Sequence, residues 1–134
     1  MVFYGEYIVS ITTGGRVALP KKIRDGLTGG SVIITKGFGS CLAGYDKRDW
    51  ENRANSLLDV SLLEKEEIEK RRILFSSTVY IDIDEQGRIV LPRGLRLFSS
   101  ILKKVVIAGV GDHFEIWSLD RWELYIKEIS SEEK

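Results

Sequence analysis

What most constrains this chain is that it is written twice. Residues 12–24 read TTGGRVALPKKIR and residues 84–96 read DEQGRIVLPRGLR, a displacement of 72 positions. Carried along the chain without a gap, the displacement pairs Ile11 with Ile83, Gly15 with Gly87, Arg16 with Arg88 and Leu19 with Leu91. It also pairs Pro20 with Pro92, Arg24 with Arg96, Phe3 with Phe75, Gly37 with Gly109 and Trp50 with Trp122. Conservative pairs such as Val17/Ile89 and Ile34/Val106 fill the spaces. Two copies of this length are not a solenoid array. They predict two half-domains related by a pseudo-twofold.

Both copies follow one order. YIVSI (7–11) and VYIDI (79–83) alternate as strands do, with β-branched and aromatic residues. A turn follows at TGG (13–15) and EQG (85–87), where glycine adopts positive φ at little steric cost. RVALP and RIVLP return as second strands that end at a proline, which cannot donate to a ladder. KKIRDGL and RGLRLF predict short helical turns. SVIITKG and KVVIAGVG predict third strands, and CLAGY and FEIWS fourth strands.

A helix is expected to close each copy. In the first, Asp46 stands as N-cap before KRDWENRANSLL, with Asp49 three residues on. In the second, Ser118 leads into LDRWELYIKEI. Between the copies, SLLEKEEIEKRRILF opens with a Ser61/Glu64 capping-box pattern and carries Glu66/Lys70 and Glu67/Arg71 at helical spacing, as a solvated connector would. The expected organisation is a first repeat over 3–50, a connector over 51–74, a second repeat over 75–122 and a C-terminal helix and tail over 123–134. Four short strands bury too little to stand alone. The fold class is therefore α+β, with the two copies interlocked into one pseudo-twofold β-barrel flanked by helices.

The inventory offers little to an enzyme. General acid–base work at neutral pH draws on histidine or on carboxylates in apolar pockets, and the only histidine, His113, lies in an apparent turn. Its counterpart is Cys41, so a nucleophile–base pair related by the pseudo-twofold is conceivable, and two unrelated residues explain the coincidence as well. No zinc-ligand spacing or phosphate-binding loop occurs, and no cofactor is expected. The lone cysteine forbids an intrachain disulfide and suits a reducing cytoplasm. Apolar runs such as VVIAGVG (105–111) are too short to span a membrane, and the N-terminus does not read as a secretory signal.

The basic residues are more informative. The formal net charge is zero, from 20 basic and 20 acidic side chains, yet the charge is segregated. Residues 12–24 hold Arg16, Lys21, Lys22 and Arg24 with no acid, whereas seven acids fall between 112 and 134. Arg93 and Arg96 follow Arg88 in the second copy. Arginine at a hairpin tip can grip guanine O6/N7 through two bonds, lysine neutralises phosphate, and a two-stranded ribbon fits the major groove. Arg16 and Arg88 could equally be internal ion-pair partners of their own turns, and the two roles can coexist. Trp50, Trp117 and Trp122 read as core. Were they exposed, the chain would suit an oligomeric protein-interaction module.

Taken together, DEQGRIVLP, FSSTVYIDI, GVGDHFEIWS, FYGEY, GRVALPKKIR and TKGFGSCLAGYDKRDW closely resemble the MraZ family of bacterial transcription regulators, from Phe3 to about Ile126. The resemblance implies two half-barrel repeats of the AbrB/MazE swapped-hairpin kind. It implies a homo-oligomer, a ring, bound to short direct repeats in double-stranded DNA upstream of the division and cell-wall gene cluster that includes its own gene. Such a protein is cytoplasmic and nucleoid-associated, and can act on the methyltransferase encoded beside it. The resemblance further implies DNA contact through D-x-x-x-R loops. Asp84–Arg88 matches that motif, with Gly87 in the turn. The first copy has Thr12 where the family has Asp, with Gly15 and Arg16 retained. Threonine makes the turn bond more weakly than aspartate and cannot fix arginine electrostatically. Arg88 is thus expected to be held and Arg16 to be freer.

Overall fold

The computed structural model of the chain describes residues 2–59 and 64–132. The first copy supplies β1 (Glu6–Ser10), β2 (Arg16–Ala18), α1 (Lys21–Arg24), β3 (Ser31–Lys36), β4 (Leu42–Tyr45) and α2 (Lys47–Leu58). After α3 (Lys65–Ser77), the second supplies β5 (Val79–Asp82), β6 (Arg88–Val90), α4 (Arg93–Phe98), β7 (Lys104–Gly109), β8 (Phe114–Ser118) and α5 (Leu119–Glu132). The α+β class stands, and each predicted strand forms within a residue or two of its expected place.

Among the described residues no closed barrel is detected. The strands form a six-stranded antiparallel sheet in the order β1-β7-β8-β4-β3-β5, and a separate antiparallel ribbon of β2 with β6. Exchanging the copies turns that order into itself read backwards, which is the pseudo-twofold expressed as topology. The copies are interlocked. First strand β1 pairs with β7 of the other copy, and β5 pairs with β3. On the axis Val17 faces its counterpart Ile89, and Ala43 faces Glu115.

The gapless alignment needs one correction. Val9 faces Val105 and Tyr7 faces Ile107, whereas Val79 faces Ile34 and Ile81 faces Val32. Hence β7 corresponds to β3 one residue further along than the 72-residue displacement allows, and β8 returns to it. Val105 and Ile107 take the core places of Val32 and Ile34. Because side chains alternate along a strand, a single-residue slip would otherwise turn the buried set outward. The extra residue is absorbed beside α4, which is six residues long against four in α1. Phe3 and Phe75 also part company. Phe3 is buried and bridges to Gly111, while Phe75 lies in α3 with its ring 6.2 Å from that of Trp50.

The main core lies between sheet and ribbon, where Val17, Leu19, Ile23, Ile89, Leu91 and Leu95 meet Val32, Ile34, Val105, Ile107, Phe114 and Ile116. A second cluster on Cys41, Val106, Ala108 and Trp117 is covered by Leu119 and Trp122. Trp50 and Trp117 are buried and Trp122 partly so, as core residues. Helices α2 and α3 lie against β3, and α5 against β7 and β8.

One helix start differs from expectation. Asp46 occupies the N-cap position of α2 without capping it. Its buried carboxylate accepts from the Thr28 amide at 2.8 Å and from the Thr28 hydroxyl at 2.9 and 2.8 Å, tying the helix start to the loop before β3. Ser118 does cap, its Oγ accepting from the Arg121 amide at 3.2 Å. The Ser61 half of the proposed capping box lies outside the described residues. Along α3, Lys70 pairs with Glu67 at 3.5 Å and Lys65 with Glu69 at 3.8 Å, while Arg71 donates to the Leu57 carbonyl at 2.9 Å.

Candidate nucleic-acid interface

The ribbon puts the sequence-predicted arginines on one surface. Strand alternation turns Val17 and Ile89 into the core and leaves Arg16, Ala18, Arg88 and Val90 on the outer side. Arg16 faces Val90 and Arg88 faces Ala18, so the two guanidinium stems start two residues apart along the ribbon, about 7 Å. The turns that precede β2 and β6 lie at opposite ends.

The two turns share a backbone. The Thr12 amide donates to the Arg16 carbonyl and the Asp84 amide to the Arg88 carbonyl, both at 2.9 Å. They differ in what fixes the arginine. Asp84 Oδ1 accepts from the amides of Gln86 and Arg88, both at 2.9 Å, and Oδ2 accepts from Arg88 Nε at 3.1 Å. These bonds, led by the Arg88 amide, hold the Asp84 carboxyl below its ordinary range. In the first turn Thr12 Oγ1 makes only a long 3.4 Å bond to the Arg16 carbonyl, and Arg16 Nη1 donates to the Thr13 carbonyl at 3.2 Å. The difference expected from Thr12 is therefore present in the geometry.

Arg24 and Arg96, expected among the DNA contacts, also support the turns. Arg24 Nε donates to the Leu19 carbonyl at 3.0 Å, and Arg96 Nε to the Leu91 carbonyl at 3.1 Å. Each guanidinium also lies against the turn of the other copy. A Cβ on Gly87 would sit 2.8 Å from Arg24 Nε, and one on Gly15 2.9 Å from Arg96 Nε. Both glycines have positive φ, 80° at Gly15 and 76° at Gly87, so the turn conformation and the close approach each call for glycine. Their carbonyls accept from the amides of Leu91 and Leu19, both at 2.9 Å. Each tip is thus assembled from both copies, Thr12–Arg16 with Arg96 and Asp84–Arg88 with Arg24. Lys21, Lys22 and Arg93 are exposed on α1 and α4, just past the ribbon.

One charged cluster joins Asp112, His113 and Glu115, near neighbours in the sequence, to Arg53, which is distant from them in the chain. Arg53 of α2 pairs with Asp112 in the β7–β8 turn. Asp112 Oδ1 lies 2.7 Å from His113 Nδ1, and Glu115 Oε2 lies 3.5 Å from His113 Nε2. Trp117 Nε1 donates to Glu115 Oε1 at 3.0 Å, and the His113 ring stacks on Tyr45 with centroids 5.0 Å apart. Bonding to Glu115 first, and to Asp112, raises the pKa of His113 against the opposing effect of burial. Burial pushes Glu115 up, but its bonds with His113 and Trp117 outweigh that and leave it low. Asp112 is lowered by His113 and Arg53. The nucleophile–base pair does not form. Cys41 Sγ donates to the Phe38 carbonyl at 3.1 Å, burial with the nearby Glu115 pushes its thiol up to about 12, and both His113 nitrogens face carboxylates.

An interlocked pair of α+β repeats that displays two arginine-bearing tips on one exposed ribbon is a recognisable class of protein. The MraZ protein family model matches residues 2–73 and again residues 74–134. The chain is 41% identical over 122 residues to the transcriptional regulator MraZ of Roseiflexus castenholzii, covering 91% of this chain and 85% of that protein. It is 39% identical over 127 residues to the protein of the same name from Ligilactobacillus salivarius, covering 95% and 88%. With the namesake of Acetivibrio thermocellus it shares 37% over 124 residues, covering 92% and 86%. The chain belongs to the MraZ family. Among the described residues no helix is long and apolar enough to cross a membrane.

Proposed function

We propose that this chain is a transcriptional regulator that binds double-stranded DNA with the β2–β6 ribbon and its two tips. The carrying observation is the placement of Arg16 and Arg88 on the outer side of one ribbon whose inner side is core. The core fixes the ribbon, and the outer side presents the two arginines with Ala18 and Val90 between them. Lys21, Lys22 and Arg93 supply phosphate contacts at its margins, while Arg24 and Arg96 hold the tips. One copy of the chain offers few cations. A ring of copies on successive direct repeats raises affinity through effective concentration without needing a basic protein overall. The operator in this reading lies upstream of the chain's own gene, in the division and cell-wall cluster, and the protein is cytoplasmic and nucleoid-associated.

A second reading, an oligomeric module that engages proteins such as a neighbouring methyltransferase, has one observation in its favour. On α5, Leu124, Tyr125 and Ile126 are exposed at 60%, 42% and 40%. Fluorescence anisotropy separates the two readings, using a duplex from upstream of the gene and a shuffled duplex at low and moderate salt. The DNA reading predicts preference for the first duplex and an affinity that falls steeply with salt. Equal, weak binding of both by a folded oligomer contradicts it.

A further inference from the structure

The two tips are related by the pseudo-twofold, yet their arginines are held differently. Arg88 is pinned through Nε to a carboxylate that also fixes two turn amides. Neither of its Nη atoms makes a hydrogen bond among the described residues, so the end-on pair of N–H groups remains to meet a ligand. That pair matches the two acceptors on the guanine edge, and pinning the stem beforehand removes much of the ordering cost of presenting it. Arg16 has no such anchor. Its Nη1 bonds only to the neutral carbonyl of Thr13 in its own turn, which fixes the guanidinium less firmly than a carboxylate does. The surroundings differ in the same sense. The first tip has no acid between Thr12 and Arg24, whereas the second carries Asp84 and Glu85. Net positive charge with a loose arginine suits phosphate, where direction matters little. A pinned arginine beside acids suits a base edge, where direction is what discriminates.

From this we infer that Arg88 is the specificity-determining residue and Arg16 chiefly an affinity residue, so that each protomer reads its site with a fixed polarity. A symmetric pair of tips would favour a palindrome. Broken symmetry at the tips lets a twofold-like fold read repeats that all point the same way. The inference rests on the DNA reading above and adds to it which tip discriminates.

The test replaces each arginine by lysine, which keeps the charge and loses the fork. Binding of the upstream and shuffled duplexes is measured for the full-length wild type, Arg88→Lys and Arg16→Lys. Arg88→Lys is expected to lose about tenfold or more of the preference for the upstream duplex, with affinity for the shuffled duplex little changed. Arg16→Lys is expected to keep the preference within about twofold. Thr12→Asp supplies a second route that does not disturb the pinned tip. Building the carboxylate lock into the first turn is expected to raise the preference for duplexes that place guanine under both tips. A wild-type preference that survives Arg88→Lys, or falls at least as far with Arg16→Lys, overturns the inference and leaves the DNA reading standing. Absence of any wild-type preference overturns both.

Discussion

A single side chain separates the two tips. Aspartate at position 84 makes three hydrogen bonds where threonine at position 12 makes one long one. That difference was legible in the sequence because the repeat sets Thr12 against Asp84 and the chemistry of the two side chains does the rest. The place of Arg53 in the His113 cluster was not legible, because Arg53 and Asp112 become neighbours only after the copies interlock. The cluster carries a pH signature. With its folded pKa raised, His113 contributes stability that is full below its ordinary value of about 6.5 and is lost as pH rises through the folded value. Asp112 and Glu115, both lowered, contribute above their ordinary values and lose that contribution as pH falls through the folded ones. The cluster is therefore strongest between about pH 4.5 and 6.5. Thermal melting from pH 5 to 9 should show stability falling above that window in the wild type. In His113→Gln that fall should be absent, and a parallel fall in the variant would assign it to other groups.

At the scale of elements, periodicity located the strands, and the proline after each second strand marked its end. What periodicity could not show was partnership. A strand that alternates correctly reads the same whether it pairs within its own copy or with the other, and only the packing of Val9 on Val105 and Ile81 on Val32 decides. For the same reason Arg24 and Arg96 read as surface cations in the sequence, although each supports a turn contributed by the other copy. The prediction at this scale concerns that support. Gly87→Ala would force a Cβ to 2.8 Å from Arg24 Nε at a positive φ. The combined strain should cost about 1–3 kcal/mol of unfolding free energy in urea titrations. The same substitution at Gly94, where an added Cβ meets nothing within 4 Å, should be far milder because only the backbone changes. Equal stability of wild type and Gly87→Ala would show that the arginine gives way freely and that the turn does not depend on it.

For the molecule as a whole, the net charge of zero says little, because what governs association is where the charges stand. Among the described residues the strands form a six-stranded sheet backed by a ribbon, with no closed barrel detected, and that arrangement bears on function. It leaves the ribbon's outer side uncovered while its inner side anchors the core. The order of the repeats and the pseudo-twofold followed from the sequence. The one-residue slip at β7 did not, since each strand's alternation is intact and only its register with β1 exposes the shift. The central claim is that the ribbon tips meet DNA, and it is tested most directly by charge reversal at the looser one. We would measure anisotropy of the upstream duplex with the wild type, Arg16→Glu and Thr12→Asp at one moderate salt concentration. The account predicts that Arg16→Glu weakens binding by at least tenfold, because it removes a cation and adds an anion at the tip. Thr12→Asp should change overall affinity by much less. Equal affinities of the wild type and Arg16→Glu would contradict the assignment of this surface to DNA.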